Sequence, residues 1–187
     1  MADDLHSFIA GTLWLKLKED VRDLRVFNRH DLACAAYFHI RRLLLIQAGW
    51  SCRADIASAP VANRLSPIAN SPDLALFSGG KFQALFQLEF HVTPGAPGGF
   101  PTSQMNEKMS ALRRTVAGAE QVRAGNSGMG GRGYLVGVYD TEEEWFYPDQ
   151  AVWETQSCFW LPINCHAFAD YVEWHQRWER LARLSNQ

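Results

Sequence analysis

The sequence lacks the features that mark secreted, membrane-spanning or DNA-coating proteins. Its first 15 residues have no basic start and only a short apolar run, so no secretory signal is expected. No stretch approaches the roughly 18 apolar residues of a membrane span. The formal net charge is −2, so any nucleic-acid binding would depend on local basic patches. We therefore expect a cytoplasmic protein without a membrane partner.

Cysteine is scarce, and no two cysteines form a C-x-x-C pair. The four are Cys34, Cys52, Cys158 and Cys165. This pattern is typical of reduced thiols in or near a core rather than of a disulfide framework. Cys165 and His166 could form half a zinc site, but neighbouring residues on a strand point to opposite faces. The pair is therefore a poor chelate.

What the sequence does contain is enough apolar residue content for one substantial core. The chain has 187 residues, of which 47% are hydrophobic and 20% charged. These values are ordinary for a globular domain and argue against disorder. We expect a single domain over residues 1–187.

Two helices are predicted before the first strand. Apolar residues recur every three or four positions over 3–27, although Gly11 weakens the middle and could divide the helix. Residues 30–48 are rich in alanine and leucine, and Gly49 follows where a C-terminal cap is expected. Both segments therefore read as helices that pack an apolar stripe on a sheet.

The central part of the chain predicts three strands. Residues 58–70 are rich in proline, serine and asparagine, so a loop is predicted between the first strand and the next two. The turn Ser78-Gly79-Gly80 joins the second strand to the third, so these two should be antiparallel. The strands are predicted at 50–57, 72–77 and 82–92.

The second half adds two helices and two strands. A proline- and glycine-rich loop precedes the first of these helices, and a glycine-rich loop is predicted to follow it. The predicted segments are loop 93–101, helix 103–117, loop 118–133, strand 134–139, acidic turn or short helix 140–144, strand 158–163 and helix 167–184. A helix between two strands implies a crossover. The fold class is therefore α/β, a three-layer sandwich around a mixed sheet.

Two carboxylates in the hairpin suggest a divalent-metal site. Asp73 lies near the start of one strand and Glu89 near the end of its partner, so a bulge or twist is needed to bring them together. Carboxylate oxygens suit Mg²⁺ or Mn²⁺, which retain waters for a substrate phosphate. His91 shares the face of Glu89 by the period-two rule and could deprotonate the attacking water.

These residues resemble a known motif. Pro72-Asp73 followed by Glu89-Phe90-His91 is similar to the motif of the PD-(D/E)XK nuclease superfamily, which has the restriction-endonuclease-like fold. The order of helices and strands over 28–140 agrees with that family, while 1–27 and 141–187 lie outside the resemblance. The chain departs from the pattern at His91, which stands where the family has lysine.

The resemblance implies roles for several residues. Asp73 and Glu89 would bind the metal and act in catalysis with His91 and Lys108. The missing ammonium could be replaced by His91 itself, or supplied by Lys81 or Lys108 from another element. Asp31 would be the accessory acid that many members carry in the preceding helix.

The helix that follows the motif carries basic residues. Arg113 and Arg114 belong to a local basic excess that could contact a phosphate backbone.

Two functions stay open at this point. The first is a Mg²⁺-dependent endonuclease or exonuclease that hydrolyses nucleic acid, with DNA as the expected substrate. The second is a catalytically inactive protein of the same fold that binds a protein or nucleic acid, possible homodimers included. The absent lysine favours the second, as do aromatic residues that could form an interface. These are Trp145, Trp153, Trp160, Trp174 and Trp178.

Overall fold

In the computed structural model of the chain, five strands form one mixed sheet with helices against both faces. The structure describes residues 2–44, 49–54, 73–79, 81–92, 102–121, 131–142 and 157–185. The helices are α1 (Ala2–Ser7), α2 (Trp14–Arg22), α3 (Arg29–Leu43), α4 (Thr102–Gln121) and α5 (Tyr171–Ser185). The strands are β1 (Trp50–Ala54), β2 (Leu74–Ser78), β3 (Lys81–His91), β4 (Arg132–Tyr139) and β5 (Cys158–Asn164).

The strands lie in the sheet in the same order as in the chain. β1, β2 and β3 pair antiparallel, whereas β4 is parallel to β3 and β5 is parallel to β4. The predicted antiparallel hairpin and the crossover through α4 are therefore confirmed. The C-terminal ends of β3, β4 and β5 meet at one edge of the sheet, where ligands of α/β proteins commonly bind.

Each face of the sheet has its own apolar core. On one face α4 packs Met109, Leu112 and Val116 against the strands. On the other face the N-terminal helices, α3 and α5 enclose a larger core that includes Phe86, Leu88, Trp174 and Trp178, among other residues. The arrangement is compatible with the predicted three-layer sandwich.

A bulge in the hairpin sets which side chains of β3 face α4. Leu76 pairs with Ala84 and Phe77 with Phe82, so Gln83 is an extra residue in β3. Gly79 adopts a positive φ of 56° in the turn, which glycine reaches without steric cost. The sequence requires a bulge or twist to bring Asp73 towards Glu89, and the structure contains a bulge.

The first predicted helix is interrupted and ends early. The six residues Phe8–Leu13, which include Gly11, form a π-helical segment between α1 and α2. The helix then stops at Arg22 rather than at residue 27, because Leu24 takes a positive φ of 56° and the amide of Arg25 donates to the carbonyl of Asp20 over 2.8 Å. Such a left-handed residue ends helical hydrogen bonding.

Other predicted boundaries also move. α3 ends at Leu43 with Leu44 as its cap, so the cap predicted at Gly49 is wrong, while 45–48 lie outside the described residues. α4 continues to Gln121, four residues into the predicted glycine-rich loop, and β4 already starts at Arg132. α5 starts at Tyr171 rather than at residue 167, after a short 3₁₀ turn.

Asp140, assigned from the sequence to an acidic turn, is buried. Its side chain follows β4 and is 1% exposed. The Tyr171 hydroxyl donates to its Oδ2 over 2.9 Å, and the imidazoles of His166 and His175 lie 3.6 and 3.7 Å from its two oxygens. Asp140 therefore fixes the start of α5 to the end of β4. The acidic-turn assignment overlooked this because the partners come from more than 25 positions later in the chain.

The four cysteines are free thiols. Cys158 and Cys165 are buried as predicted, whereas Cys34 is exposed on α3. None of the described helices combines the length and apolarity needed to cross a membrane.

Candidate functional site

Glu89 is a buried carboxylate with a lysine partner. Alternation along β3 places Gln87, Glu89 and His91 on the face covered by α4. Glu89 is only 5% exposed. The Lys108 ammonium on α4 lies 2.9 Å from its Oε1, and the Gln87 amide donates to the same oxygen over 3.1 Å. His91 Nε2 lies 3.4 Å from the other oxygen, Oε2. A buried acid needs such partners to stay ionised.

Asp73 lies at the point where β2 begins and its ladder with β3 ends. Its amide donates to the carbonyl of Phe86 over 2.8 Å. Its Oδ2 accepts from the amide of Leu88 over 2.7 Å, and its Oδ1 lies 2.9 Å from the Arg29 guanidinium. The Asp73 side chain thus takes the place of the next backbone hydrogen-bond acceptor in the β2–β3 pairing. Its partner, the amide of Leu88, is one residue before Glu89.

The two carboxyl groups have pKa values displaced in opposite directions. Burial raises the pKa of Asp73, and the charge of Glu89 adds to that rise. Burial alone would also raise the pKa of Glu89, but hydrogen bonds from His91 and Lys108 and the charges of Lys108 and Arg29 hold it at about 2. The charges of Asp73 and Glu89 therefore act on one another. Environments that separate the pKa values of neighbouring carboxyls are a common feature of functional sites.

The low pKa of Glu89 predicts an acid-dependent loss of stability. A carboxyl whose folded pKa is about 2, below the ordinary 4.5, stabilises the fold fully above pH 4.5 and loses that contribution as the pH falls towards 2. At about 1.4 kcal/mol per pKa unit the contribution is up to about 3 kcal/mol. When the free energy of unfolding in urea is plotted against pH, wild type and Glu89→Gln should therefore have different slopes between pH 4.5 and 2. Parallel stability curves would contradict the prediction.

Trp160 forms an aromatic wall beside Glu89. Gly137 pairs with Glu89 across the parallel strands β3 and β4. A Cβ placed on Gly137 would lie 2.2 Å from the Trp160 ring, so the indole occupies the space of a side chain there. Tyr139 stacks on Trp160 with ring centroids 6.3 Å apart. Only glycine at position 137 permits this wall.

Substituting Gly137 by alanine is expected to destabilise the fold. The added methyl must displace Trp160, and overpacking of this kind costs about 1–3 kcal/mol. The loss should be smaller in a Trp160→Leu background, because the ring atoms that clash are gone. Thermal unfolding of the two single variants and the double variant measures this coupling. Additive losses would show that the ring is not the obstacle.

The structure brings four of the predicted site residues together. Asp73 directly precedes β2, Glu89 and His91 lie on β3 and Lys108 lies on α4, and the four share one region of the sheet. Pro72 lies outside the described residues.

Two accessory residues do not join this group. Lys81 is exposed at the opposite end of β3, eight residues before Glu89, which at roughly 3.3 Å per residue places about 26 Å between them. It therefore cannot supply the ammonium. The Asp31 carboxylate accepts from the amide of Phe27 and the side chain of Asn28, each over 3.0 Å, and thereby caps α3.

Arg113 and Arg114 lie on α4, the helix that carries Lys108. Arg114 is exposed and Arg113 is half-buried. Their proposed contact with nucleic acid stays a prediction.

Arg29 and Gln87 are site residues that sequence reasoning missed. Arg29 is the first residue of α3, and its side chain is 46% exposed. The Asn28 cap fixes the start of α3 at Arg29, but only the packing of α3 on the sheet brings residue 29 to Asp73. For Gln87 the signal was its position two residues before Glu89 on the same face of β3.

Both carboxylates keep acceptor capacity that a divalent cation would use. Each carboxylate offers about four lone-pair positions. Three side chains contact Glu89, and two groups contact Asp73, so oxygen capacity remains on both. Within the described part of the chain no three histidine, cysteine, aspartate or glutamate side chains converge as a metal site. Waters and substrate oxygens would complete the coordination, as Mg²⁺ prefers.

Comparison of the chain with protein-family models, curated proteins and solved structures gives no match.

Proposed function

We propose that this protein is a divalent-metal-dependent hydrolase of phosphodiester bonds in nucleic acid, with DNA as the first substrate to test. The observation that carries the proposal is the contact between Lys108 and Glu89, with 2.9 Å between Nζ and Oε1. The motif-like segment lacks lysine at position 91, and α4 brings an ammonium to the same carboxylate from another direction. A carboxylate pair, a lysine and a histidine thus meet in one place.

The arrangement of elements supports the same proposal. α3 precedes β1, Asp73 directly precedes β2, β3 carries Glu89, and α4 connects to the parallel strand β4. This is the order that the resemblance to PD-(D/E)XK nucleases implies. Fold order alone does not establish chemistry, so the proposal depends on the side chains.

In the proposed mechanism each side chain has a separate task. Asp73 and Glu89 would hold Mg²⁺ or Mn²⁺, which when bound lowers the pKa of water and neutralises phosphate charge. Lys108 stabilises the negative charge that develops on the phosphoryl oxygens. His91, whose Nε2 faces Glu89, accepts the proton of the attacking water at Nδ1 as the water oxygen bonds to phosphorus. The ester P–O bond then breaks, and the leaving oxygen takes a proton from solvent.

A catalytically inactive binding protein is the second candidate, and one observation favours it. Asp73 and Glu89 already have cationic partners in Arg29 and Lys108. A carboxylate pair neutralised by the protein itself could persist for its contribution to folding. In that case the exposed Arg114 on α4 could still contact a partner.

A cleavage assay separates the two candidates. Wild-type protein is incubated with single- and double-stranded DNA and with RNA, in Mg²⁺, in Mn²⁺ and in a chelator. Metal-dependent cleavage that the chelator abolishes supports the hydrolase. Binding of nucleic acid in a gel-shift assay without cleavage in either metal would favour the inactive protein.

A further inference from the structure

Arg29 occupies the oxygen of Asp73 that is not used by the backbone. The Leu88 amide holds Oδ2 over 2.7 Å, while the guanidinium lies 2.9 Å from Oδ1. Arg29 reaches this position from a fixed start, because Asn28 caps α3 by accepting from the amide of Asp31 over 2.9 Å. One carboxylate oxygen of Asp73 is therefore structural, and the other is bound to a cation.

The charge of Arg29 also reaches the second carboxylate. Its positive field contributes to the lowered pKa of Glu89. Arg29 is nevertheless 46% exposed, whereas the Asp73 side chain is 16% exposed. A guanidinium carries five N–H donors. The N–H donors of Arg29 that do not contact Asp73 can therefore bind an incoming ligand at the surface, without a change in the packing of the core.

We propose that Arg29 is a built-in counterion that holds Oδ1 of Asp73 until a divalent metal binds there, and then binds an oxygen of the substrate phosphate. This inference rests on the proposed function and adds a coupling to it. A metal ion and a guanidinium cannot occupy the same side of one oxygen, so they compete. Guanidinium groups match phosphate oxygens in a bidentate geometry, which gives the displaced side chain a new partner.

The consequence is that metal and nucleic acid assist each other's binding. Nucleic acid draws Arg29 away from Asp73 and opens the metal position. Metal releases Arg29 for the phosphate. Coupling of this kind is reciprocal and typically amounts to roughly 5- to 150-fold in affinity.

Arg29→Gln tests the proposal through effects of opposite sign. Without nucleic acid, the variant should bind Mn²⁺ about 5-fold more tightly than wild type, because the competing cation is gone. Its affinity for a short DNA oligonucleotide in Ca²⁺ should fall by roughly 10-fold, with a weaker dependence on salt. Titration calorimetry measures the metal, and fluorescence anisotropy measures the oligonucleotide. A purely structural role would weaken both.

Two further variants guard the interpretation. Arg22→Gln is the matched control, because Arg22 is exposed and pairs with its neighbour Asp23 over 3.3 Å. It should leave both affinities unchanged. Arg29→Lys keeps the charge, so its metal affinity should stay near that of wild type while its oligonucleotide affinity falls. This variant also provides a reading if the glutamine variant folds poorly.

The outcomes separate this inference from the proposed function. If wild type binds Mn²⁺ and Arg29→Gln binds it no more tightly, the counterion role of Arg29 is overturned and the proposed function is not. If wild type binds Mn²⁺ neither in the presence nor in the absence of nucleic acid, both this inference and the proposed metal-dependent hydrolase function are overturned. Tighter metal binding with weaker oligonucleotide binding supports it.

Discussion

Glu89→Gln is expected to lose metal-dependent cleavage by about 1000-fold. The amide keeps the shape of the side chain but removes the charge that would hold a divalent cation in the proposed mechanism. Metal stabilisation of the transition state is worth several kcal/mol, and each 1.36 kcal/mol corresponds to a tenfold change in rate. The rate of DNA cleavage in Mg²⁺ measures the loss, and circular dichroism checks that the variant is folded.

A suitable control for this substitution lies on α5. Glu173→Gln makes the same chemical change at an exposed position, so it should leave the rate within twofold of wild type, by the rough rule that exposed substitutions away from a site have small effects. Cleavage by Glu89→Gln at the rate of the control would remove Glu89 from the mechanism. Loss in both variants would point to a contaminating nuclease in the wild-type preparation or to altered purification.

Lys108→Met is expected to reduce both stability and cleavage. Methionine keeps most of the length of the side chain but leaves Glu89, 5% exposed, without its ammonium partner. Breaking a buried pair costs about 3–5 kcal/mol, and the 25% exposure of Lys108 reduces this to about 1–3 kcal/mol. In the proposed mechanism Lys108 is a charged donor to the reacting phosphate, so its loss should lower the cleavage rate by roughly 100-fold or more.

Urea unfolding tests the stability effect, and its pH dependence reports the change in the pKa of Glu89. In Lys108→Met the pKa of Glu89 should rise, so the acid-dependent loss of stability begins at a higher pH than in wild type. Mg²⁺ should restore part of the stability, because a divalent cation replaces the missing charge. Arg114→Met, an exposed change on the same helix, serves as the control. Equal stability of the two variants would show that the Lys108 contact is energetically unimportant.

The sequence predicted the parts of the site that depend on local rules. The period of two along β3 placed Glu89 and His91 on one face, and the short turn placed β2 beside β3. The approach of Asp73 to Glu89 required a bulge or twist, and the structure places a bulge at Gln83. The identity of the ammonium did not follow. Lys108 was predicted as a catalytic residue and Lys81 as an accessory source of the ammonium, and only the packing of α4 on the sheet brings Lys108 to Glu89. That packing depends on contacts between distant segments of the chain.

Arg29 was missed for a related reason. An arginine at the start of a helix reads as a solvent-exposed cation, and only the contact of α3 with the sheet brings it to Asp73. The predicted helix boundaries were wrong where the conformation of a single residue ends the helix. The left-handed Leu24 ends the first helical region, although leucine is rarely found in that conformation and no sequence pattern signals it.

The bulge at Gln83 constrains how this chain can change in evolution. Side chains of a strand alternate between the two faces of the sheet, so the number of residues between the bulge and Glu89 decides that Glu89 faces α4. An insertion or deletion of one residue between Gln83 and Glu89 would turn the carboxylate to the opposite side of the sheet, away from Lys108. Length changes before Lys81 leave this phase intact. Substitutions can therefore alter the chemistry of β3 without turning Glu89, whereas a one-residue change in length after the bulge turns it away from α4.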